Sequence, residues 1–201
     1  MSTRLSHPPI TRATQITIAR ILGIPVFILV MIYYKMSLTA GEPVDWYRYL
    51  ALGIFVLIAA TDALDGYLAR IRDEETRLGA VLDPIADKAL LLSAIILLTR
   101  PSMEALSPQF PVAFTLLIIS RDVLLVAGSY LLHWLTGHVE VRPRISGKLA
   151  TVFQMTAIIA ALIPLPRFFT VVMIIAGVFT LVSGLHYIFD GVRQFERSET
   201  K

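Results

Sequence analysis

The sequence predicts an all-α integral membrane protein: six transmembrane helices with both termini cytoplasmic, led by a short polar segment suited to an interfacial helix. Three observations predict it. Of the 201 residues, 56% are hydrophobic and only 16% are charged, against roughly 45–50% and about 25% in an ordinary soluble domain. The apolar residues fall in runs of about 20, the length a helix needs to cross a bilayer core. Lysine and arginine collect in alternate connections between those runs, as the positive-inside rule requires. The mean hydropathy of +0.70 agrees. A net charge of +3 is too small for a nucleic-acid surface, and the lack of cysteine excludes disulfides and thiolate metal sites.

Taken in order, residues 1–15 are polar and carry Arg4, Arg12 and the pair Pro8-Pro9. The first span is 16–34. It is expected to be retained rather than cleaved as a leader, because Leu38 stands where a cleavage site wants a small residue and further spans follow. A loop at 35–48, with Gly41 and Pro43, leads to a second span from about 49 into an aspartate-rich stretch. The charged connection 71–77 is short. The third span covers about 78–99, and Pro101, Pro108 and Pro111 separate it from the fourth, about 112–135. A basic loop at 136–146 precedes the fifth span, about 147–163. Pro164 and Pro166 punctuate the turn into the sixth, about 168–189. The domain plan is thus a polar lead-in at 1–15, a six-helix domain at 16–195 and a charged tail at 196–201.

Six spans put both ends on one side. Eleven cations fall on that side: Arg4, Arg12, Arg70, Arg72, Arg77, Arg142, Arg144, Lys148, Arg193, Arg197 and Lys201. Four fall opposite, at Lys35, Arg48, Arg100 and Arg167, while Arg20, Lys88 and Arg121 lie in or near spans. The termini and the loops at 71–77 and 136–146 are therefore predicted to be cytoplasmic. Trp46 and Trp134 suit an interfacial belt.

The stretch 62–87, DALDGYLARIRDEETRLGAVLDPIAD, places its acids at the cytoplasmic ends of spans two and three. On the second helix Asp62, Asp65, Gly66, Ala69 and Arg70 share one stripe; on the third, Gly79, Asp83 and Asp87 share another. A short connection makes the helices antiparallel neighbours, so the stripes can face each other. Four converging carboxylates would repel one another and some would take up protons, unless divalent cations sat between them. All-oxygen donors suit Mg²⁺ or Mn²⁺, and Ca²⁺ is compatible. Two such ions would suit phosphoryl chemistry. Gly66, Ala69 and Gly79 leave room for a flat group or for close helix approach. Arg70 can reach a phosphate or pair with an acid, and Pro84 suggests a kink or a first turn.

The pattern Asp62-x₂-Asp65-Gly66-x₂-Ala69-Arg70-x₈-Gly79-x₃-Asp83-x₃-Asp87 resembles the signature of the CDP-alcohol phosphotransferases at every fixed position and gap. That resemblance implies transfer of a phosphatidyl group from CDP-diacylglycerol to an alcohol, with CMP leaving. It implies Asp62, Asp65 and Asp83 as metal ligands, and Asp87 as the base on the attacking hydroxyl and a further ligand. Asp62, Gly66, Ala69, Arg70 and Gly79 would bind the CDP-lipid, the small residues shaping the cytidine pocket and Arg70 lying near the diphosphate. It implies a homodimer in the cytoplasmic membrane of a bacterium, with the active site facing the cytoplasm.

The start of span one, Thr17-Ile18-Ala19-Arg20 with Pro25, resembles the TxxR…P opening of phosphatidylglycerophosphate synthases, whose acceptor is glycerol 3-phosphate. Gly147-Lys148 with Thr151 resembles a GK-x-x-T segment of the same subfamily. The acceptor's phosphate wants cations beyond the signature, and Arg121, Arg142, Arg144 and Lys148 are the candidates. Arg121-Asp122, without a second arginine after it, departs from that subfamily. It is more similar to CDP-alcohol-type cardiolipin synthases, which use phosphatidylglycerol. The basic loop and the opening of span one favour glycerol 3-phosphate.

Simpler explanations compete. Asp73, Glu74 and Glu75 read as a solvated loop. Arg70 could pair with Asp73 or Glu74, Lys88 could be the counter-ion of Asp87, and Arg121 could be a snorkelling anchor. The basic residues at 142–148 could be topology markers only. Helix-end caps are a poor explanation for four acids at such spacing beside a membrane. His133, His138 and His186 lack partners at metal-ligand spacing. Two other functions compete: an ion transporter, which wants acids at mid-bilayer and broken helices, and an aspartate-rich prenyltransferase, which places two acidic motifs far apart in a longer chain.

Overall fold

A computed structural model describes the backbone at 12–72, 77–99, 107–136 and 144–199, and the side chains at 19–61, 85–99, 107–131, 134 and 144–194. Among the described residues the chain forms six helices and no strand: α1 (Arg12–Thr39), α2 (Asp45–Arg72), α3 (Arg77–Leu97), α4 (Val112–Thr136), α5 (Ile145–Leu162) and α6 (Pro166–Glu199). The order matches the predicted spans, but several helices overrun them. α1 begins within the segment read as a polar lead-in, and α6 continues to Glu199, well into the segment read as a tail. A helix need not stop where hydrocarbon stops, because its backbone hydrogen bonds stay internal in water as well. By length and composition four segments can cross a membrane: Ala19–Thr39, Val112–Leu131, Ile145–Leu162 and Pro166–Gln194.

Two compact units divide the chain, Met1–Ala94 and Ile95–Lys201. In the first, α1 packs on α2. The inward stripe of α1 is Arg20, Ile24, Phe27, Met31 and Tyr34, all buried and spaced four and three residues apart. Leu22, Val26, Leu29, Tyr33 and Met36 form the opposite, exposed stripe, as a lipid-facing surface requires. From α2 the buried residues are Arg48, Ala51, Phe55 and Ile58. Phe27 and Phe55 meet with ring centroids 5.9 Å apart, a tilted pair worth about 0.5–1.5 kcal/mol beyond burial. Gly23 permits the approach: a Cβ there would lie 2.9 Å from Ile58 Cδ1. By sequence spacing, positions 62, 65 and 69 continue the register 48, 51, 55, 58 of α2, which is how the acidic positions enter the plan of the first unit.

In the second unit α6 packs against both α4 and α5. Between apolar helices in lipid there is little hydrophobic drive, so small residues and interhelical hydrogen bonds carry the association. α5 supplies the buried stripe Ala150, Gln154, Ala157 and Ala161, and α6 supplies Ala176 and Thr180. Gln154 Nε2 donates to Thr180 Oγ1 at 2.9 Å. Phe153 and Phe179 stack at 5.5 Å. At the start of α4, Phe110 stacks on Phe114 and tilts against Phe169 of α6. Thr99 and Thr115 share a buried hydrogen bond of 2.6 Å.

Candidate active site

The acidic positions lie on regular helix. Asp62, Asp65, Gly66, Ala69 and Arg70 fall within α2, and Gly79, Asp83 and Asp87 within α3, which is helical through Pro84. Helical rise separates Asp62 from Asp65 by about 4.5 Å and Asp83 from Asp87 by about 6 Å along their axes, one turn each. Asp87 is the member of the set whose side chain is described; those of Asp62, Asp65, Gly66, Ala69, Arg70, Gly79 and Asp83 lie outside the described residues. So does the connection 73–76. Among the described residues no three His, Asp or Glu side chains gather at one point.

Asp87 has a described partner in Arg20, which the sequence offered as part of the TxxR opening and not as a partner of the acids. Its Oδ1 accepts a hydrogen bond from Nη1 of Arg20 at 2.9 Å, across 67 residues. Exposure of the two side chains is very unequal, 2% for Arg20 and 37% for Asp87. The arginine comes from the inward stripe of α1, beneath the carboxylate, and leaves the acid accessible. One signal in the sequence pointed to Arg20: a cation within an apolar run, on the face shared by Ile24 and Phe27, needs an acid or a polar cavity.

The second unit holds the basic candidates. Arg121, on α4, is largely buried. Its Nη1 donates to Asp122 Oδ1 and its Nη2 to Ser183 Oγ on α6, both at 2.8 Å. Gly147, in the first turn of α5, lies against the same guanidinium: a Cβ there would be 2.9 Å from Nη2 and 3.3 Å from Ser183 Oγ. Three helices thus meet at Arg121. Its Nε is buried and has no hydrogen-bond partner among the described residues, as is true of Ser146 Oγ and His186 Nδ1. Ser146 adjoins Gly147 in sequence, and His186 is one turn from Ser183. A buried N–H left unpaired costs about 1–3 kcal/mol, and an oxyanion would satisfy it. Ser183 was missed. Serine in an apolar run carries no signal of its own until the partner helix is known.

Arg144 is held differently. Its Nε and Nη2 donate to Oδ2 and Oδ1 of Asp190 at 2.8 and 2.6 Å, a two-bond fork joining the start of α5 to α6. Such a fork uses the geometry by which arginine would grip a phosphate. Arg144 therefore has a structural task of its own. Lys148 is exposed on α5, and Arg142 lies outside the described residues. Trp46 and Trp134 are both strongly exposed.

Comparison with known proteins adds to this geometry. The family model for CDP-alcohol phosphatidyltransferase matches residues 10–182. A protein of Pseudomonas fluorescens named CDP-diacylglycerol–glycerol-3-phosphate 3-phosphatidyltransferase is 36% identical over 185 residues, covering 86% of this chain and 86% of that protein. A protein of the same name from Escherichia coli strain K12 is 33% identical over 180 residues, covering 87% of this chain and 91% of that protein.

Proposed function

From the premise that the chain belongs to the CDP-alcohol phosphatidyltransferase family, we propose that it transfers the phosphatidyl group of CDP-diacylglycerol to glycerol 3-phosphate. The products are phosphatidylglycerophosphate and CMP. The observation that carries the reaction is the aspartate register on α2 and α3, complete at each signature position. Relatives named for the glycerol 3-phosphate reaction, similar along most of the chain, support the acceptor.

In the proposed reaction the free primary hydroxyl of glycerol 3-phosphate attacks the phosphorus that bears the diacylglycerol. A new P–O bond forms, the P–O bond to CMP breaks, and the hydroxyl proton passes to Asp87. A base needs hydrogen-bond reach to that hydroxyl, and the accessible carboxylate of Asp87 allows it. Asp62, Gly66, Ala69, Arg70 and Gly79 would bind the CDP-lipid, the small residues accommodating the cytidine and Arg70 lying beside the diphosphate. Asp62, Asp65, Asp83 and Asp87 would hold two divalent ions. As donors they fit: hard carboxylate oxygens one helical turn apart on two helices suit Mg²⁺ or Mn²⁺. When bound, the ions would neutralise the diphosphate and stabilise charge on the departing CMP.

Arg121 is the leading candidate for the acceptor's phosphate. Its buried, unpartnered Nε and the absent side chain at Gly147 both suit an anion. Arg142 and Lys148 are the further candidates, with Arg144 already bound to Asp190. The proposed setting is six spans, both termini and the active site on the cytoplasmic side of a bacterial inner membrane, in a homodimer. Positive-inside charge supports the orientation.

The test is CMP release by purified protein given CDP-diacylglycerol, Mg²⁺ or Mn²⁺, and each acceptor in turn. Release with glycerol 3-phosphate, abolished by chelation and restored by either metal, is the expected result. Release only with phosphatidylglycerol would support the second reading, cardiolipin synthesis, which the Arg121-Asp122 sequence favours. No release with any alcohol would remove the proposed function.

A further inference from the structure

We propose that Arg20 is a positioning residue for the proposed base, holding the Asp87 carboxylate in its reactive orientation through the Nη1–Oδ1 contact; the inference rests on the transfer reaction proposed above. Three observations carry it. Arg20 lies in the inward stripe of α1 with Ile24, Phe27, Met31 and Tyr34, and its side chain is 2% exposed. A long cation near a span's end ordinarily snorkels outward to water and headgroups. This one turns inward, which is costly unless an acid receives it.

The second observation is the unequal exposure of the pair. In the Arg144–Asp190 fork, which ties two helices, both partners are exposed to a similar degree, 43% and 29%. In the Arg20–Asp87 pair the cation is buried and the carboxylate is 37% exposed. That is the arrangement in which a support stands behind a group that must meet substrate. Third, the contact spans α1 and α3, joining residues 67 positions apart within one compact unit. An aspartate on a helix has several accessible rotamers. A directional bond from a fixed guanidinium to one oxygen selects among them, leaving the carboxylate's direction set by α1 as well as by its own helix. Misplacing a reacting group by about 1 Å can cost about 100-fold in rate, so the contact matters to turnover through Asp87.

The test uses the full-length protein in detergent micelles or proteoliposomes, with CDP-diacylglycerol, glycerol 3-phosphate and Mn²⁺. Arg20→Met, Arg20→Lys, Asp87→Asn and the double variant Arg20→Met/Asp87→Asn are compared per folded molecule. Folded fraction is read by size-exclusion and thermal unfolding. Arg20→Met is expected to lower kcat about 100-fold while KM for both substrates moves less than about threefold. Arg20→Lys, which keeps the charge on a less directional head, should recover about tenfold of that loss. In the double variant the loss should equal that of Asp87→Asn alone, because residues acting as one unit are not additive.

A purely structural Arg20 gives another pattern: fewer folded molecules, with normal kcat in those that remain. That pattern overturns the proposal, as does a loss confined to KM or a double variant whose losses multiply. Should Arg20→Met fail to fold, the Arg20→Lys result decides: a kcat within twofold of wild type overturns positioning, and a roughly tenfold loss at unchanged KM supports it. A wild-type protein that releases no CMP removes the transfer reaction and this inference together. An active wild type with an unaffected Arg20→Met removes this inference alone.

Discussion

Gly147 stands against the guanidinium of Arg121, so that a Cβ at residue 147 would lie 2.9 Å from Nη2 and 3.3 Å from Ser183 Oγ. Nη2 is not at liberty to retreat without loss, since it donates to that same Ser183 oxygen. Gly147→Ala is therefore expected to displace the arginine and break the bond. If Arg121 binds the acceptor's phosphate, KM for glycerol 3-phosphate should rise about tenfold, the scale of one hydrogen bond, with kcat less affected. Steady-state kinetics with varied glycerol 3-phosphate checks this. An unchanged KM would take Arg121 out of the acceptor site.

Asp87→Asn removes the proposed base while keeping the side chain's shape. Turnover should fall at least about 1,000-fold, within the range a positioned general base supplies. The variant should still purify as a folded protein, since its amide can accept from Arg20. Activity near the wild-type level would exclude Asp87 as the base.

The α5–α6 seam offers a stability test. Thr180→Val removes the acceptor of the Gln154 Nε2 bond and leaves a buried amide unsatisfied, next to an Oε1 already without a partner among the described residues. Thermal unfolding in detergent should show a loss of about 1–3 kcal/mol. Adding Gln154→Leu should restore part of it, because the orphaned amide goes with the side chain. A double variant less stable than Thr180→Val would contradict this account.

The Arg144–Asp190 fork is half exposed, so its contribution to stability should be small, about 0.5–1 kcal/mol in a double-mutant cycle of Arg144→Ala and Asp190→Ala. Raising salt should weaken the coupling. Because Asp190 already occupies the arginine, Arg144→Ala should change KM for glycerol 3-phosphate less than Arg121→Ala does. The reverse order would make Arg144 the main phosphate ligand.

Much of this protein was legible in its residues. Spans were visible because lipid demands long apolar runs, and α1, α4, α5 and α6 carry them plainly. The acidic register at 62, 65, 83 and 87 was visible because helical periodicity is local: spacings of three and four place residues on one face whatever the helix packs against. Helix ends were less legible. α1 starts at Arg12 and α6 ends at Glu199, in polar sequence that composition assigns to a lead-in and a tail. Hydropathy marks where lipid begins and ends, and hydrogen bonding alone decides where a helix does.

By itself the sequence determined the helical class, the family and the positions at which metal and base are proposed, because each depends on composition or on spacing within one helix. Only the tertiary structure decided which charges meet. Asp87 takes a hydrogen bond from Arg20, 67 residues away. Arg121 reaches Ser183 across 62 residues, and Arg144 closes on Asp190 across 46. An isolated helix carries the position of each charge but not its partner, and a buried cation takes whichever acid or hydroxyl the packing of helices brings within hydrogen-bond reach.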